Sequence, residues 1–329
     1  MRRSAIGLLV ILALGTVWLR LAAVPRQKGP TIGVLLLASP PSEPDWKQRS
    51  VFLQELRRLG WRDGENVTVE HRWAAGQSER GADLAAELVR LNVDVIWVDN
   101  VFIRTVQQAT TTIPIVMFAV TDPVAAGFIA SLAQPGGNIT GVDASFIIGL
   151  GGKLLELLTE VVSPHARVAV LSNPDAPSVA SMVQEVKDAA QTLGTTLVFL
   201  EARAPEEFAG AFDTARREGA GALLILPSVV FLSHLKQLAA LAVHHRLPAI
   251  FSRAPFARQG GLLTYGPNDP ALVRRVAYYV DRILRGAKPA DLPVERPTQF
   301  DLIINLKTAE TLGLTIPPTL LIQADEVIR

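Results

Sequence analysis

Polar side chains that can bind a small solute stand directly after several predicted strands. In chain order these residues are Ser39, Asp99, Asn100, Thr121, Asp122, Asn173, Asp175, Ser228, Ser252 and Arg253. Hydroxyl, amide and carboxylate groups exchange hydrogen bonds with a ligand, and a guanidinium can grip a carboxylate with two parallel bonds. The carboxyl ends of strands are where doubly wound folds place their ligand groups. The predicted chemistry is therefore reversible recognition of a small molecule.

Three of these residues also have structural roles that the sequence leaves open. Asp122 precedes a proline, which is the pattern of a helix cap with proline in the first turn. Asn173 also precedes a proline and is typical of a turn. Ser228 can cap the helix predicted after it.

Arg253 and the further candidate Tyr265 also have alternative roles. Arg253 is either a ligand group suited to a carboxylate or a solvated loop residue. Tyr265 stands between Thr264 and Gly266, where it can serve as a hinge residue, as an aromatic wall of a ligand site or as a packing residue. The predicted ligand set is Ser39, Asn100, Thr121, Asp122, Asn173, Ser228, Ser252, Arg253 and Tyr265.

Catalytic and metal-binding motifs are missing from the sequence. There is no cysteine, which excludes disulfides, thiolate ligands, a thiol nucleophile and a lipid-bearing lipobox. There is no Gly-x-Ser-x-Gly elbow, and the glycines near Lys153 lack the other residues of a phosphate loop. His244 and His245 point to different sides of a helix, and His234 is not four residues from either. We therefore predict no catalytic residue, no cofactor, no metal and no enzymatic activity.

Composition and charge narrow the classes of protein further. The chain has 329 residues, enough for about two domains, and 49% of them are hydrophobic, so it can bury a core. Lys and Arg number 32 against 31 Asp and Glu, a net charge of +1. That balance lacks the excess of positive charge that phosphate binding needs, so we predict no nucleic-acid partner.

Short apolar runs alternate with segments of helical period from Thr31 onward, which is typical of parallel βα units. Strands are predicted at 32–37, from 67, at 93–98, 113–118 and 138–142, then at 167–171, 196–200, 222–226, 248–251, 260–263 and 300–304. Helices are predicted between them, among others at 103–109, 179–193, 232–244 and 272–284.

Two similar series of βα units predict the α/β class, with two doubly wound, Rossmann-like lobes joined by a multi-strand hinge. The N-terminal lobe is predicted to comprise residues 31–142 with 267–298. The C-terminal lobe is predicted to comprise residues 143–266 with 299–329.

Residues 1–30 are predicted to be an export signal or N-terminal anchor followed by a linker. Arg2 and Arg3 precede an uncharged apolar run over residues 5–18, which is shorter than the ~20 residues of a spanning helix. Arg20 and Leu21 stand where cleavage favours small residues, so cleavage and retention both stay open. We expect an exported, periplasmic protein.

Several motifs are shared with a known family. They are the runs at 113–117 (IPIVM), 121–124 (TDPV), 131–141 (SLAQPGGNITG), 246–250 (RLPAI), 260–266 (GGLLTYG), 288–293 (KPADLP), 304–309 (INLKTA) and 324–328 (ADEVI). With these runs the chain resembles the substrate-binding proteins of ABC transporters, of the tryptophan/tyrosine type. The resemblance extends from about Thr31 to Arg329.

The resemblance implies a type I periplasmic-binding-protein fold. It also implies a monomer that captures a small molecule, such as an amino acid or related metabolite, and delivers it to an ABC permease in the inner membrane. If the ligand is an amino acid, Asp122 is a candidate ammonium partner and Arg253 a candidate carboxylate partner. The chain departs from the family in two presumed ligand loops, at 99–103 (DNVFI) and 227–231 (PSVVF). Two alternatives stay open: a membrane-anchored ligand sensor and an enzyme on the same fold.

Overall fold

The computed structural model describes residues 29–42, 46–144, 149–163, 165–176 and 179–329 of the chain. The export signal or anchor predicted from the sequence falls almost entirely on residues 1–28, outside the described part, so it stays a prediction. Within the described part, no helix combines the length and the apolar character that crossing a membrane requires.

The first half of the chain forms a parallel sheet. Its strands are β1 (Thr31–Leu36), β2 (Thr68–Trp73), β3 (Val95–Asp99), β4 (Ile115–Val120) and β5 (Ile139–Asp143). They lie in the order β2-β1-β3-β4-β5. The interior strands are continuous apolar runs because helices cover both faces, as in other parallel sheets.

The second half forms a larger, mixed sheet. Its strands are β6 (Arg167–Ser172), β7 (Leu197–Glu201), β8 (Ala220–Ile225), β9 (Ala249–Phe251), β10 (Leu263–Pro267), β11 (Phe300–Asn305) and β12 (Glu326–Ile328). They lie in the order β12-β11-β10-β9-β8-β6-β7. Every pairing is parallel except that between β10 and β11.

Helices pack on both faces of each sheet. In chain order they are α1 (Trp46–Arg49), α2 (Val51–Arg58), α3 (Gly81–Arg90), α4 (Ile103–Ala109), α5 (Leu150–Thr159), α6 (Val179–Leu193), α7 (Phe208–Arg217), α8 (Val229–Ser233), α9 (Leu235–His244), α10 (Pro255–Arg258), α11 (Asp269–Leu284), α12 (Leu306–Leu312) and α13 (Pro318–Gln323). In the first sheet, α2 shares one core and α3 and α4 the other. In the second sheet, α5, α6, α12 and α13 share one core and α7 to α10 the other.

Helix α11 connects the two halves. It follows β10 of the second sheet, yet its residues Leu272 and Val276 join the core of the first sheet around Ile32. The side chain of Asn268 caps it by accepting a hydrogen bond from the Ala271 N–H at 2.7 Å. The chain thus passes between the sheets after β5, after β10 and before β11. This architecture confirms the predicted α/β class with two doubly wound lobes, while the exact lobe boundaries stay a prediction.

Two element predictions were wrong, each for a local reason. The single helix predicted at 232–244 is two helices, α8 and α9, because Ser228 caps an earlier start and the backbone of His234 leaves the helical region at φ −126° and ψ 28°. The strand predicted at 260–263 begins only at Leu263, because Gly260 adopts a left-handed conformation (φ 104°) in the preceding turn.

Candidate functional site

A cavity of about 390 Å³ lies at the carboxyl ends of strands from both sheets. From the first sheet its lining residues are Asn100, Val101, Val120 and Thr121. From the second sheet they are Asn173, Asp175, Ala176, Pro227, Ser228, Val229, Val230 and Leu232. We call it the interlobe cavity. A cavity of this size and position suits a small solute.

The wall from the first sheet is shaped by two backbone features. Asn100 begins a short 3-10 turn that buries Phe102, and its own side chain is left exposed at the cavity. In β4 the register against β5 shifts between Met117 and Val120, an irregularity that changes the direction of the side chains that follow. Thr121 follows this irregularity and lines the cavity. Neither Asn100 nor Thr121 makes a side-chain hydrogen bond with the part of the chain described, so both can bond to a solute.

The opposite wall offers two buried polar side chains, Asn173 and Ser228. Asn173 follows β6, and its Oδ1 accepts a hydrogen bond from the Asp175 N–H at 2.9 Å. Its Nδ2 has no partner among the described residues and remains available as a donor. Ser228 caps α8, its Oγ accepting a hydrogen bond from the Phe231 N–H at 3.2 Å, and its hydroxyl hydrogen can still donate. Both residues thus combine a structural bond with a free donor.

The rest of the interlobe cavity is mainly aliphatic. Val229 and Leu232 are 46% and 38% exposed, unusual values for large apolar residues, and both project from the α8 segment at the cavity. Val101 and Val120 face them from the first sheet. A solute that covered these side chains would gain about 25 cal/mol for each Å² of apolar surface removed from water. The sequence analysis did not select them, although apolar residues in the loop at 227–232 were a visible signal.

A second cavity, of about 910 Å³, adjoins the first and shares with it Asn100, Val101, Val229, Val230 and Leu232. We call it the Asp99 cavity. Its charged lining residues are Asp99, at the end of β3, and Arg253, just after β9. Ser39 and Gln77 add uncharged polar groups on the side of the first sheet.

The carboxyl group of Asp99 is held against the backbone of the loop after β1. The Leu37 N–H donates to its Oδ2 at 2.8 Å. Burial raises the pKa of Asp99 to about 6, although the bond from Leu37 and the positive charge of Arg253 oppose this rise. The group is therefore mostly ionised at neutral pH, in surroundings that solvate the charge poorly.

The raised pKa of Asp99 predicts a pH-dependent effect on stability. Because the native state binds this proton more tightly than the unfolded chain, the contribution of Asp99 to stability decreases as pH rises from about 4 to about 6. Asp99→Asn keeps an acceptor for Leu37 but cannot ionise. We expect the free energy of unfolding of the variant, relative to wild type, to rise by roughly 2 kcal/mol between pH 4 and pH 7. Urea unfolding of both proteins across this range measures the difference, and a constant difference would contradict the prediction.

Arg253, predicted to bind a ligand carboxylate, already has an internal partner. Its guanidinium Nη2 lies 2.9 Å from Oδ1 of Asp269, the first residue of α11. Burial raises the pKa of Asp269 despite the charge of Arg253. A solute carboxylate at Arg253 would therefore have to share the guanidinium with Asp269.

Three predicted ligand residues line neither cavity. Asp122 has a left-handed backbone (φ 45°) and its Oδ1 accepts a hydrogen bond from the Ala125 N–H at 3.0 Å, so it caps a turn rather than a helix. Ser252 directly follows β9 and is buried. Tyr265 stacks on Phe300 with ring centroids 5.8 Å apart, against the core of the same sheet. As ligand residues these three stay predictions that the cavity geometry does not support.

Histidines and metal ligands contribute little to either cavity. No group of three or more histidine or acidic side chains among the described residues is close enough to hold a metal ion. His234 lines the Asp99 cavity, with its Nδ1 2.8 Å from the Val230 carbonyl oxygen. His71 lies away from both cavities between Trp46 and Trp73, where burial lowers its pKa to about 4.

A family model with the description "ABC transporter substrate binding protein" matches residues 31–328. A curated protein of Clostridioides difficile (strain R20291), named tyrosine-binding protein, is 26% identical to the chain over 290 residues, which cover 88% of this chain and 82% of that protein.

Two solved structures are similar over most of the chain. A conserved domain protein from Vibrio cholerae has a TM-score of 0.78 at 26% identity, covering 91% of this chain and all of that one. An ABC domain from Streptococcus pneumonia in complex with L-Trp has a TM-score of 0.76 at 24% identity, covering 92% of this chain and all of that one. At 24% identity, the similarity to the Streptococcus structure supports the fold and carries no argument about the ligand.

Proposed function

The chain belongs to the family of ABC transporter substrate-binding proteins, and on that basis we propose that it captures its solute in the interlobe cavity and hands it to a permease of the inner membrane. Proteins of this family act outside the cytoplasm, and we assign this chain to the periplasm. The proposal depends mainly on one observation: polar and apolar side chains after strands of both sheets line a single cavity.

A solute in this cavity would touch both lobes at once. Asn100 and Thr121 belong to one wall, and Asn173 and Ser228 to the other. Because a ligand can shift a conformational equilibrium only through its different affinity for the two states, contacts with both walls favour the closed arrangement over the open one. Closure on the solute is the state that a permease can distinguish from the empty protein.

The walls also indicate the kind of solute. They combine a few hydrogen-bonding groups with an aliphatic surface around Val229 and Leu232, which suits a compact molecule with a substantial apolar part. The tyrosine-binding protein of Clostridioides difficile makes amino acids the first compounds to test. We expect the solute to be released unchanged, since no catalytic arrangement was found in the sequence.

A thermal-shift screen of amino acids, amines, sugars and small carboxylic acids tests the proposal. A solute present at 100 times its Kd should stabilise the protein by about 2.7 kcal/mol, which is a readily measured rise in Tm. In the double variant Asn100→Ala and Thr121→Val we expect the unliganded Tm to stay within a few degrees and the shift to decrease strongly, because each lost hydrogen bond costs about 1 kcal/mol. An unchanged shift would place the ligand elsewhere, and the chemical recovery of a converted compound would favour an enzyme.

A further inference from the structure

The bonds of Asp99 leave one of its carboxylate oxygens unused. Its Oδ2 accepts the hydrogen bond from the Leu37 N–H at 2.8 Å. Its Oδ1 has no hydrogen-bond partner among the residues described, and the side chain lines the Asp99 cavity. Asp99 is partly exposed at this cavity, and a carboxylate that is only partly solvated is stabilised by a cation or by further hydrogen bonds. The missing partner is therefore expected to come from the cavity.

No side chain in the described part of the chain supplies that partner. The cation that shares the Asp99 cavity is Arg253, and its guanidinium lies 2.9 Å from Asp269 instead. The polar neighbours Ser39 and Gln77 are uncharged. The raised pKa of Asp99 reports the same imbalance, since the effect of burial outweighs that of the positive charge of Arg253.

We propose that Asp99 binds a protonated amino group of the solute, so that the cargo is a small amine with an apolar body. The inference rests on the proposed function and names the chemistry of the same site. An ammonium group has three donors and a full charge, and it would form a charge-assisted hydrogen bond with the free Oδ1.

The arrangement of the two cavities fits such a molecule. Asn100, next to Asp99 in the chain, lines both cavities, and so do Val101, Val229 and Leu232. An amino group at Asp99 therefore places the rest of the solute against the aliphatic wall. The assignment also differs from the sequence analysis, in which Asp122 was a candidate ammonium partner for an amino-acid ligand.

Matched sets of compounds test this assignment. We would use L-tyrosine, L-tryptophan and L-leucine, the amines that each gives on loss of the carboxyl group, and the carboxylic acids that each gives on loss of the amino group. Isothermal titration calorimetry at pH 7.5 would measure the affinity of the full-length wild type, Asp99→Asn and Asp122→Asn for each compound. Asp122→Asn is the matched control, because it makes the same change in a carboxyl group that lines neither cavity and keeps the acceptor for Ala125.

The expected result is binding of at least one compound with an amino group, and at least tenfold weaker binding of its counterpart without that group. Asp99→Asn should weaken the amine about 30-fold and remove the preference over the counterpart, whereas Asp122→Asn should leave both affinities unchanged. The comparison of each amino acid with its decarboxylated amine shows which of the two classes the protein recognises. If the amino acid binds more tightly than the amine, Arg253 contributes to binding of its carboxylate.

Three results would overturn the assignment. The first is equal affinity of the wild type for a compound with and without its amino group. The second is a loss of affinity for the amine in Asp122→Asn but not in Asp99→Asn. The third is binding of a solute from the wider screen that lacks a basic nitrogen. This result would leave the proposed function intact. If no compound of any class binds, the proposed function fails together with this inference.

Discussion

Alanine at position 141 is expected to destabilise the protein by about 4 kcal/mol or more. Gly141 lies in β5 with φ 135°, a conformation that residues with a side chain rarely adopt. A Cβ atom there would lie 2.7 Å from the backbone nitrogen of Met117 in the neighbouring strand and closer still to its carbonyl oxygen. Because the contact is with backbone, relief would require β4 and β5 to separate, so strain and lost strand pairing add together.

Gly137→Ala is the matched control for Gly141→Ala. It lies in the same glycine-rich run, and a Cβ there would meet no atom within 4 Å. Gly137→Ala should keep the free energy of unfolding within about 1 kcal/mol of wild type. Chemical denaturation followed by circular dichroism measures both variants, and equal losses at the two positions would refute the steric explanation.

The same run explains why the family resemblance was so specific. The Asn138 Nδ2 donates to the Ile113 carbonyl oxygen at 2.9 Å and so fixes the start of β4. The Thr140 hydroxyl donates to the Leu292 carbonyl oxygen at 2.7 Å and ties β5 to the segment that returns from α11. These contacts hold the framework of the first lobe and leave the cavities untouched. The motif therefore identifies the fold without identifying the ligand.

The second large effect is expected on binding. Val229→Trp should weaken the solute found in the screen about 100-fold, because Val229 lines both cavities and a tryptophan there would occupy the volume that the solute needs. Val229 is 46% exposed, so we expect the change in unfolding free energy to stay within about 0.5 kcal/mol. Calorimetric titration together with thermal denaturation separates the two quantities.

Leu193→Trp is the control for Val229→Trp. Leu193 is similarly exposed, at 41%, but it ends α6, just before the chain enters β7, at the edge of the second sheet away from the cavities. We expect it to leave affinity unchanged. If both tryptophans weaken binding equally, or if Val229→Trp binds as tightly as wild type, the interlobe cavity is not the solute site.

Most of the framework could be predicted because it depends on local patterns. The helix predicted at 179–193 is α6, and the continuous apolar run at 32–37 is β1, buried on both faces as its composition requires. The errors came where one residue changes the backbone locally. His234 interrupts a continuous helical pattern, and the left-handed Gly260 delays β10. Neither effect alters the hydrophobic periodicity on which the prediction was based.

The position of the candidate site was predicted more accurately than the residues that line it. Every selected residue follows a strand or lies in one, but only the fold decides which way each side chain points. Tyr265 faces Phe300 and the core, while Val229, which no chemical argument would select, faces the cavities. Asp99 and Asp122 are both acidic residues at the ends of strands, and the sequence does not rank them. The Leu37 contact and the cavity lining distinguish Asp99.

The sequence by itself determined two doubly wound sheets, the family and the loops where a solute would bind, because periodicity and turn residues act over a few neighbours in the chain. The tertiary structure alone decided which carboxylate at the cavities has no salt bridge within the described part of the chain. Arg253 and Asp269 are 16 positions apart in the chain, and Asp99 is far from both along the sequence. Only the folded arrangement of the two sheets places Arg253 against Asp269 and brings Asp99 to the same cavity as Arg253 without a salt bridge among the described residues. That pairing depends on distance and burial, which no spacing along the chain encodes.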